Sequence, residues 1–190
     1  MKGLRVYNKR IEKTNEPIKG YIYHPLKEGV SDLSVIIFPI IDKLSDYYWF
    51  IDKNALSVAI DASAQECDKD EWELIEEINS LIIKRFDSYF LAEKVFFQKY
   101  ARYIIDDWAD IFGLSNLDLD LNQLIGSQYL LPEEKNLYYS NNVTLYFSNV
   151  DMLYWEFYSK EDSLLHVVET GLQNRVDVSL EHCNLLNRLL

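Results

Sequence analysis

His182 directly precedes Cys183, and a thiol beside an imidazole is the raw material of a nucleophile–base pair. On a helix, neighbouring side chains diverge by about 100°, so this pair suits a shared metal poorly, and no third orienting group accompanies it. His24 stands before Pro25 at a predicted strand end and reads as a turn residue, while His166 reads as a boundary residue of a short helix. Carboxylates are far more numerous. On a helix Asp106 and Asp110 share a face, as do Asp107 and Asp110, and two such acids could hold Mg²⁺ or act as an acid/base pair. A solvated face has the same spacing, and so does a row of unpaired acids awaiting the basic groups of a partner. The last reading is the one adopted. Glu66, Asp68, Asp70, Glu71, Glu73, Glu76 and Glu77 crowd the start of the first predicted helix in the same way.

Linear catalytic signatures are missing. The sequence holds no GxGxxG, no GxxxxGK[ST], no HExxH, no EF-hand loop, no CxxC and no GxSxG. With 6 glycines in 190 residues a phosphate-cradling loop has little material. Cys67 and Cys183 lie far apart and make no disulfide framework. The expectation is a protein without catalytic residues, metal or cofactor, although sites assembled from distant residues leave no linear trace.

The elements that would carry these residues follow from periodicity. Tyr21-Ile22-Tyr23, the apolar run Leu33 to Phe38, and Tyr47 to Ile51 read as strands; the last enters a hairpin through Asp52-Lys53-Asn54 toward Leu56 to Ile60. Asp68 and Glu71 form a capping-box arrangement, after which Trp72, Ile75, Ile78 or Asn79, Ile82 and Phe86 recur at helical spacing, with Lys84 and Arg85 in the last turn. A second helix is predicted from about Leu91 to Phe112 and capped by Gly113. Leu117, Leu119 and Leu121 alternate with Asp118 and Asp120 as in a strand, whereas Asn122 to Tyr129 could be a short helix; both stay open up to Pro132. Leu137-Tyr138-Tyr139, Val143 to Phe147 and Leu153 to Tyr158 read as a β-meander turning at Ser140-Asn141-Asn142 and at Ser148 to Asp151. A helix over Ser163 to Thr170 is closed by Gly171, and a last strand or helix holds Val176 to Leu189. The fold class is thus α+β: a mostly antiparallel sheet of N- and C-terminal strands on two central helices, in one domain over residues 1–190.

Composition narrows the function classes. The net charge is −12, and residues 61–134 hold 6 basic against 17 acidic side chains, nearly the whole excess. Phosphate contacts need a basic footprint, so nucleic acid is an unsuitable partner and a basic protein surface a suitable one. The longest apolar run, Val35 to Ile41, is far short of the ~20 residues that span a bilayer, and the start lacks a signal-peptide pattern. A cytoplasmic protein with reduced thiols is expected. The 14 tyrosines, 9 phenylalanines and 4 tryptophans require a large core or a large contact surface.

The stretch Val143-Thr144-Leu145-Tyr146-Phe147-Ser148-Asn149-Val150-Asp151-Met152-Leu153-Tyr154-Trp155-Glu156-Phe157-Tyr158-Ser159 resembles a strand–Asp–Trp-Glu–strand segment of bacterial immunity proteins from polymorphic-toxin and contact-dependent growth inhibition systems. Tyr48-Trp49-Phe50-Ile51-Asp52-Lys53-Asn54 is similar in style, and together the resemblance spans about a third of the chain. It implies a small, non-enzymatic cytosolic protein that binds its cognate toxin tightly, often by covering a nuclease active site. The acidic side chains expected to meet the toxin are Asp70, Glu73, Glu77, Asp106, Asp107, Asp110, Asp118 and Asp120. Two alternatives stand beside this reading: a regulatory or structural interaction protein without a toxin partner, and an enzyme with a dispersed carboxylate or histidine site.

Overall fold

Antiparallel pairing organises the chain. The computed structural model describes residues 18–25, 33–104, 110–150, 154–173, 175 and 178–185. Its strands are β1 (Lys19–Pro25), β2 (Tyr48–Asp52), β3 (Ile82–Arg85), β4 (Tyr89–Ala92), β5 (Asp110–Leu114), β6 (Leu145–Val150), β7 (Tyr154–Ser159) and β8 (Val178–Asn184). They form one eight-stranded sheet in the order β3-β4-β2-β5-β6-β7-β1-β8, every neighbouring pair antiparallel. The helices are α1 (Ser34–Ile37), α2 (Lys69–Ser80), α3 (Phe96–Tyr100), α4 (Leu121–Ser127), α5 (Pro132–Asn142) and α6 (Asp162–Leu172). The fold is α+β. Among the described residues, no helix is long and apolar enough to cross a membrane.

Both sheet faces are covered, which decides how the strands look in sequence. On the first face Trp49, Ile51, Phe90, Ile111, Phe147, Trp155 and Phe157 pack under α1, the 3₁₀ segment Phe38–Asp46, α2, α3 and α6. On the second, Phe50, Leu91, Phe112, Tyr146 and Tyr158 pack with Leu124 of α4 and Tyr139 of α5. A strand buried on both sides shows a continuous apolar run rather than alternation.

That ambiguity accounts for the departures from the predicted elements. The expected helix from Leu91 to Phe112 is replaced by β4, the short α3 and β5, and residues 105–109 lie outside the described residues. Gly113 is not a helix cap. It sits in β5 opposite Leu145, where a Cβ would come within 2.9 Å of the Leu145 Cβ. Conversely, Leu33 to Phe38 is helical: the Leu33 carbonyl accepts from the Ile36 and Ile37 N–H groups at 3.0 and 3.1 Å. Short fully buried helices and strands carry the same apolar run. No hairpin follows β2; Asp52 instead caps the 3₁₀ turn Lys53–Ala55, and Leu56 forms an isolated bridge to Ile104.

Leu137-Tyr138-Tyr139 belongs to α5, whose first turn holds Pro132, a residue suited to that position because the missing N–H has no partner there anyway. Ser140, Asn141 and Asn142 do not turn the chain; their side chains donate to the carbonyls of Asn136, Leu137 and Tyr138 four residues back at 2.7 Å each. Residues 115–120 form no strand, and α4 occupies the segment left open. The start of α2 is as expected: Asp68 accepts from the Glu71 N–H at 2.9 Å. The helix stops at Ser80, however, and Lys84 and Arg85 lie on edge strand β3, where Arg85 reaches Asp61 and Asn79 at 2.5 and 2.6 Å. β6 and β7 pair antiparallel as predicted, but Ser148 to Val150, expected in the turn, extend β6 and pair with Glu156, Trp155 and Tyr154, while Asp151 lies outside the described residues. α6 follows the predicted pattern, with Gly171 inside it rather than beyond it.

Candidate functional site

Directly opposed residues of antiparallel strands share a face. Following the register across the second face therefore gives two adjacent rows. One runs Leu91, Phe50, Phe112, Tyr146, Tyr158, Gly20, Cys183. Its rings stack: Phe112 on Tyr146 at 5.0 Å, and Tyr146 on Tyr158 at 5.7 Å. Gly20 leaves the space that the Tyr158 ring fills, since a Cβ there would meet Tyr158 Cδ1 at 2.5 Å. The next row holds Tyr89 opposite Asp52, then Asp110 one register step beyond the Ile51–Ile111 pair, then Ser148 and Glu156.

The tyrosine row reaches into the carboxylate row. Tyr146 donates its hydroxyl to Asp110 Oδ1 at 2.7 Å, Ser148 donates to the same oxygen at 3.1 Å, and Tyr158 donates to Glu156 Oε2 at 2.8 Å. Glu156 is buried, whereas Asp52 and Asp110 are half-buried and therefore reachable. Asp52 accepts from the Asn54 N–H at 2.9 Å, yet its pKa is raised, chiefly by burial and further by the Asp110 charge. Burial and the Asp110 and Asp52 charges also push the Tyr89 hydroxyl up, and Tyr129 lies near enough to contribute. Among the described residues no lysine or arginine pairs with Asp52 or Asp110.

Beside this row, the segment spanning α4 and the start of α5 exposes apolar groups. Tyr129 is 84% exposed, Leu131 66%, Leu117 40% and Leu130 38%. These are four of the six large hydrophobic residues that stand exposed among those described, the others being Phe38 and Ile83. Asp118, Asp120, Glu133 and Glu134 are exposed around them, and residues 103–134 contain no lysine or arginine.

The structure therefore divides the eight predicted contact acids. Asp118 and Asp120 belong to the second face, where Asp120 caps α4 through the Asn122 N–H at 3.0 Å. Asp70, Glu73 and Glu77 are exposed on α2, which packs against the first face through Ile78. Glu73 meets Lys69 at 3.4 Å, and Glu77 accepts from the Tyr100 hydroxyl at 3.2 Å. The two groups thus cannot serve one flat contact. Asp110 is a strand residue engaged by Tyr146 and Ser148, so the proposed helical face shared with Asp106 and Asp107 does not exist at its end; those two lie outside the described residues. Asp52, Tyr129, Leu131, Glu133 and Glu134 are not among the predicted contacts. For the last four the signal in the sequence is a stretch without basic residues that also carries an apolar Tyr-Leu-Leu triplet before Pro132; Asp52, next to Lys53, has no such signal.

His166 and His182 border a separate shallow cleft of about 420 Å³ between α6 and the β1–β8 edge, lined also by Lys19, Tyr21 and Glu169 among others. His182 Nε2 lies 3.5 Å from Glu169 and its ring 4.8 Å from Tyr21. The Tyr21 hydroxyl is pushed up to about 12 by burial and by its hydrogen bond to Glu169. His182 and Cys183 are strand neighbours and point to opposite faces, which separates the thiol from the imidazole. His24 is 3.7 Å from Glu181. Among the described residues no three His, Cys, Asp or Glu side chains converge in a metal-holding group. No protein-family model, no curated protein and no solved structure matches the chain.

Proposed function

We propose that this chain is a cytosolic immunity protein that binds a basic, nuclease-type bacterial toxin and occludes its active site, acting without catalysis of its own. The observation that carries the reading is the exposed Tyr129-Leu130-Leu131 triplet inside a span free of basic residues, next to the half-buried Asp52 and Asp110. Binding energy in protein interfaces concentrates in a few aromatic and apolar anchors, with charged groups at the rim setting orientation and encounter rate. Tyr129 and Leu131 are the anchors here; Asp118, Asp120, Glu133 and Glu134 are the rim. A nuclease presents lysines and arginines where it grips phosphate, so such a rim would draw its active site onto the anchors.

The test uses the intact protein and Tyr129→Ala/Leu131→Ser as bait in a host lysate at low and high salt. Supporting results are one stoichiometric basic protein on the wild type, weaker capture as salt rises, loss of capture on the variant, and rescue of cells expressing the captured protein by wild type alone. Anchors of this kind commonly cost about 2 kcal/mol or more, so the affinity loss should be about 30-fold or greater. Equal capture by both baits would move the contact elsewhere. A captured partner with no toxicity would favour the regulatory alternative.

A further inference from the structure

Four glycines lie among the described residues, and three of them have a reason inside the chain. An added Cβ would press on the Tyr158 ring at Gly20, on Leu145 at Gly113 and on Pro39 at Gly171. Gly126 has no such reason. Among the described residues a Cβ there would meet no atom within 4 Å, and its φ lies outside the positive range that favours glycine. Yet it stands inside helix α4, where glycine is the least favourable residue after proline.

This bare stretch of backbone is set beside the apolar anchors. Leu124 and Ser127 of α4 are buried, and Leu121 and Ile125 pack partly against the second-face core, whereas Gly126 is exposed on the outward side. The Tyr129 N–H donates to the Gly126 carbonyl at 3.2 Å and the Leu130 N–H to the Ser127 carbonyl at 3.1 Å, so a helical turn continues past α4. Gly126, Tyr129 and Leu130 are then i, i+3 and i+4 of one winding and share a face. The surface there is a step, with uncovered backbone at Gly126 and the exposed Tyr129 ring rising next to it.

Chemistry limits what can lie on such a step. The peptide groups of α4 are bonded along its own axis, so an extended segment laid across Gly126 would lose water from its N–H and C=O groups and gain no partner for them. A helix carries its main-chain bonds internally and approaches without that loss. Charge selects further. Asp118, Asp120, Glu133 and Glu134 are exposed around the step and residues 103–134 hold no lysine or arginine, so basic flanking side chains are favoured. A second copy of this chain, with its net charge of −12, would instead bring the same acidic rim against this one.

Resting on the reading of this face as an interface, we infer that the partner docks a basic amphipathic helix across α4, with its apolar stripe on Gly126, Tyr129 and Leu130 and its lysines or arginines toward the acidic rim. The missing side chain lets the two helices approach toward the short end of the ~8–10 Å interaxial range.

The test uses the full chain and two fluorescent peptides of about 15 residues, both of lysine and leucine in the same proportions. One places its leucines at i, i+3, i+4 and i+7; the other scatters them so that no helical face is apolar. Binding is followed by anisotropy, and each protein is also melted alone. Wild type should bind the striped peptide about 10-fold or more tighter than the scattered one. Gly126→Gln should melt about 1–3 °C above wild type, because glutamine favours the helix and has open space, yet bind the striped peptide about 10-fold more weakly. Gly126→Ala, with a single methyl, should fall between the two in affinity. A glycine of purely structural use would not move stability and binding in opposite directions. Equal affinity of wild type and Gly126→Gln for the striped peptide would overturn the docking mode. So would a wild type that does not prefer the striped peptide, a Gly126→Gln that melts below wild type, or a wild-type dimer that Gly126→Gln dissociates. Failure here leaves the Tyr129→Ala/Leu131→Ser bait contrast standing, and failure to capture a toxin leaves the Gly126-dependent peptide site standing, so the two readings fall separately.

Discussion

Among single residues, Asp52 shows how environment converts a turn-type residue into a poised one. Its sequence neighbours mark a turn, and it does cap one, but the β2–β5 pairing brings it beside Asp110. Its native pKa is raised above the ordinary carboxylate value by burial first and Asp110 second. A raised native pKa means that this group favours folding most at pH values below its unfolded pKa, and that the contribution is lost as pH climbs through the native value. Asparagine has no such dependence and can still accept from the Asn54 N–H. The Tm of Asp52→Asn should therefore equal that of wild type near pH 3 and exceed it at pH 7. A constant difference across that range, measured by calorimetry in buffers of matched ionic strength, would remove the electrostatic account of Asp52.

Between elements, the middle of the sheet depends on close approach. Gly113 lies between Leu145 and Trp49 on the neighbouring strands, and a Cβ there would also meet Trp49 Cζ3 at 3.3 Å. An added methyl would sit 2.9 Å from the Leu145 Cβ, an atom tied to the backbone and unable to swing away. Gly113→Ala should destabilise the protein by about 1–3 kcal/mol, the usual range for overpacking a filled core. Urea denaturation reads this directly, and a variant with an unchanged midpoint would show that β5 and β6 can separate without loss. The same crowding explains why this glycine does not mark a helix end.

For the molecule as a whole, aromatic hydroxyls line both faces of the sheet. Tyr21 is raised to about 12, and Tyr47, Tyr89, Tyr139, Tyr146 and Tyr158 are raised further, burial being the first cause in each. Each native value exceeds the ordinary 10.0, so these groups favour folding fully below pH 10.0 and cease to do so as pH rises through and beyond about 12. Alkaline titration should show much of the tyrosinate absorbance appearing in one steep step that coincides with loss of the far-ultraviolet dichroism. Ionisation of more than the other eight of the 14 tyrosines before unfolding would contradict the burial of these six hydroxyls. The negative charge is likewise a property of the whole: it is divided between α2 over the first face and the α4–α5 segment over the second, so each presents its own acidic surface.

Features in which a local pattern is also the physical cause can be read from the residues alone. Asp68 announces α2 because a carboxylate three residues before an amide caps it wherever the helix later packs. The alternation in Leu145, Phe147, Trp155 and Phe157 announces the β6–β7 hairpin, and the α+β class follows from mixing the two periods. The lack of basic residues from 103 to 134 is likewise plain in the linear order of the chain. Relations between distant segments, by contrast, arise with the tertiary fold. The strands β2, β4 and β5 are buried on both faces, so their sequences carry no period that separates them from helices. Asp52 and Asp110 become neighbours through sheet pairing, and Asp120 and Asp70 are sent to opposite layers by which side of the sheet α4 and α2 cover. Periodicity reports only whether a segment has one buried side; the identity of the neighbour across a strand is set by register, which no local pattern contains.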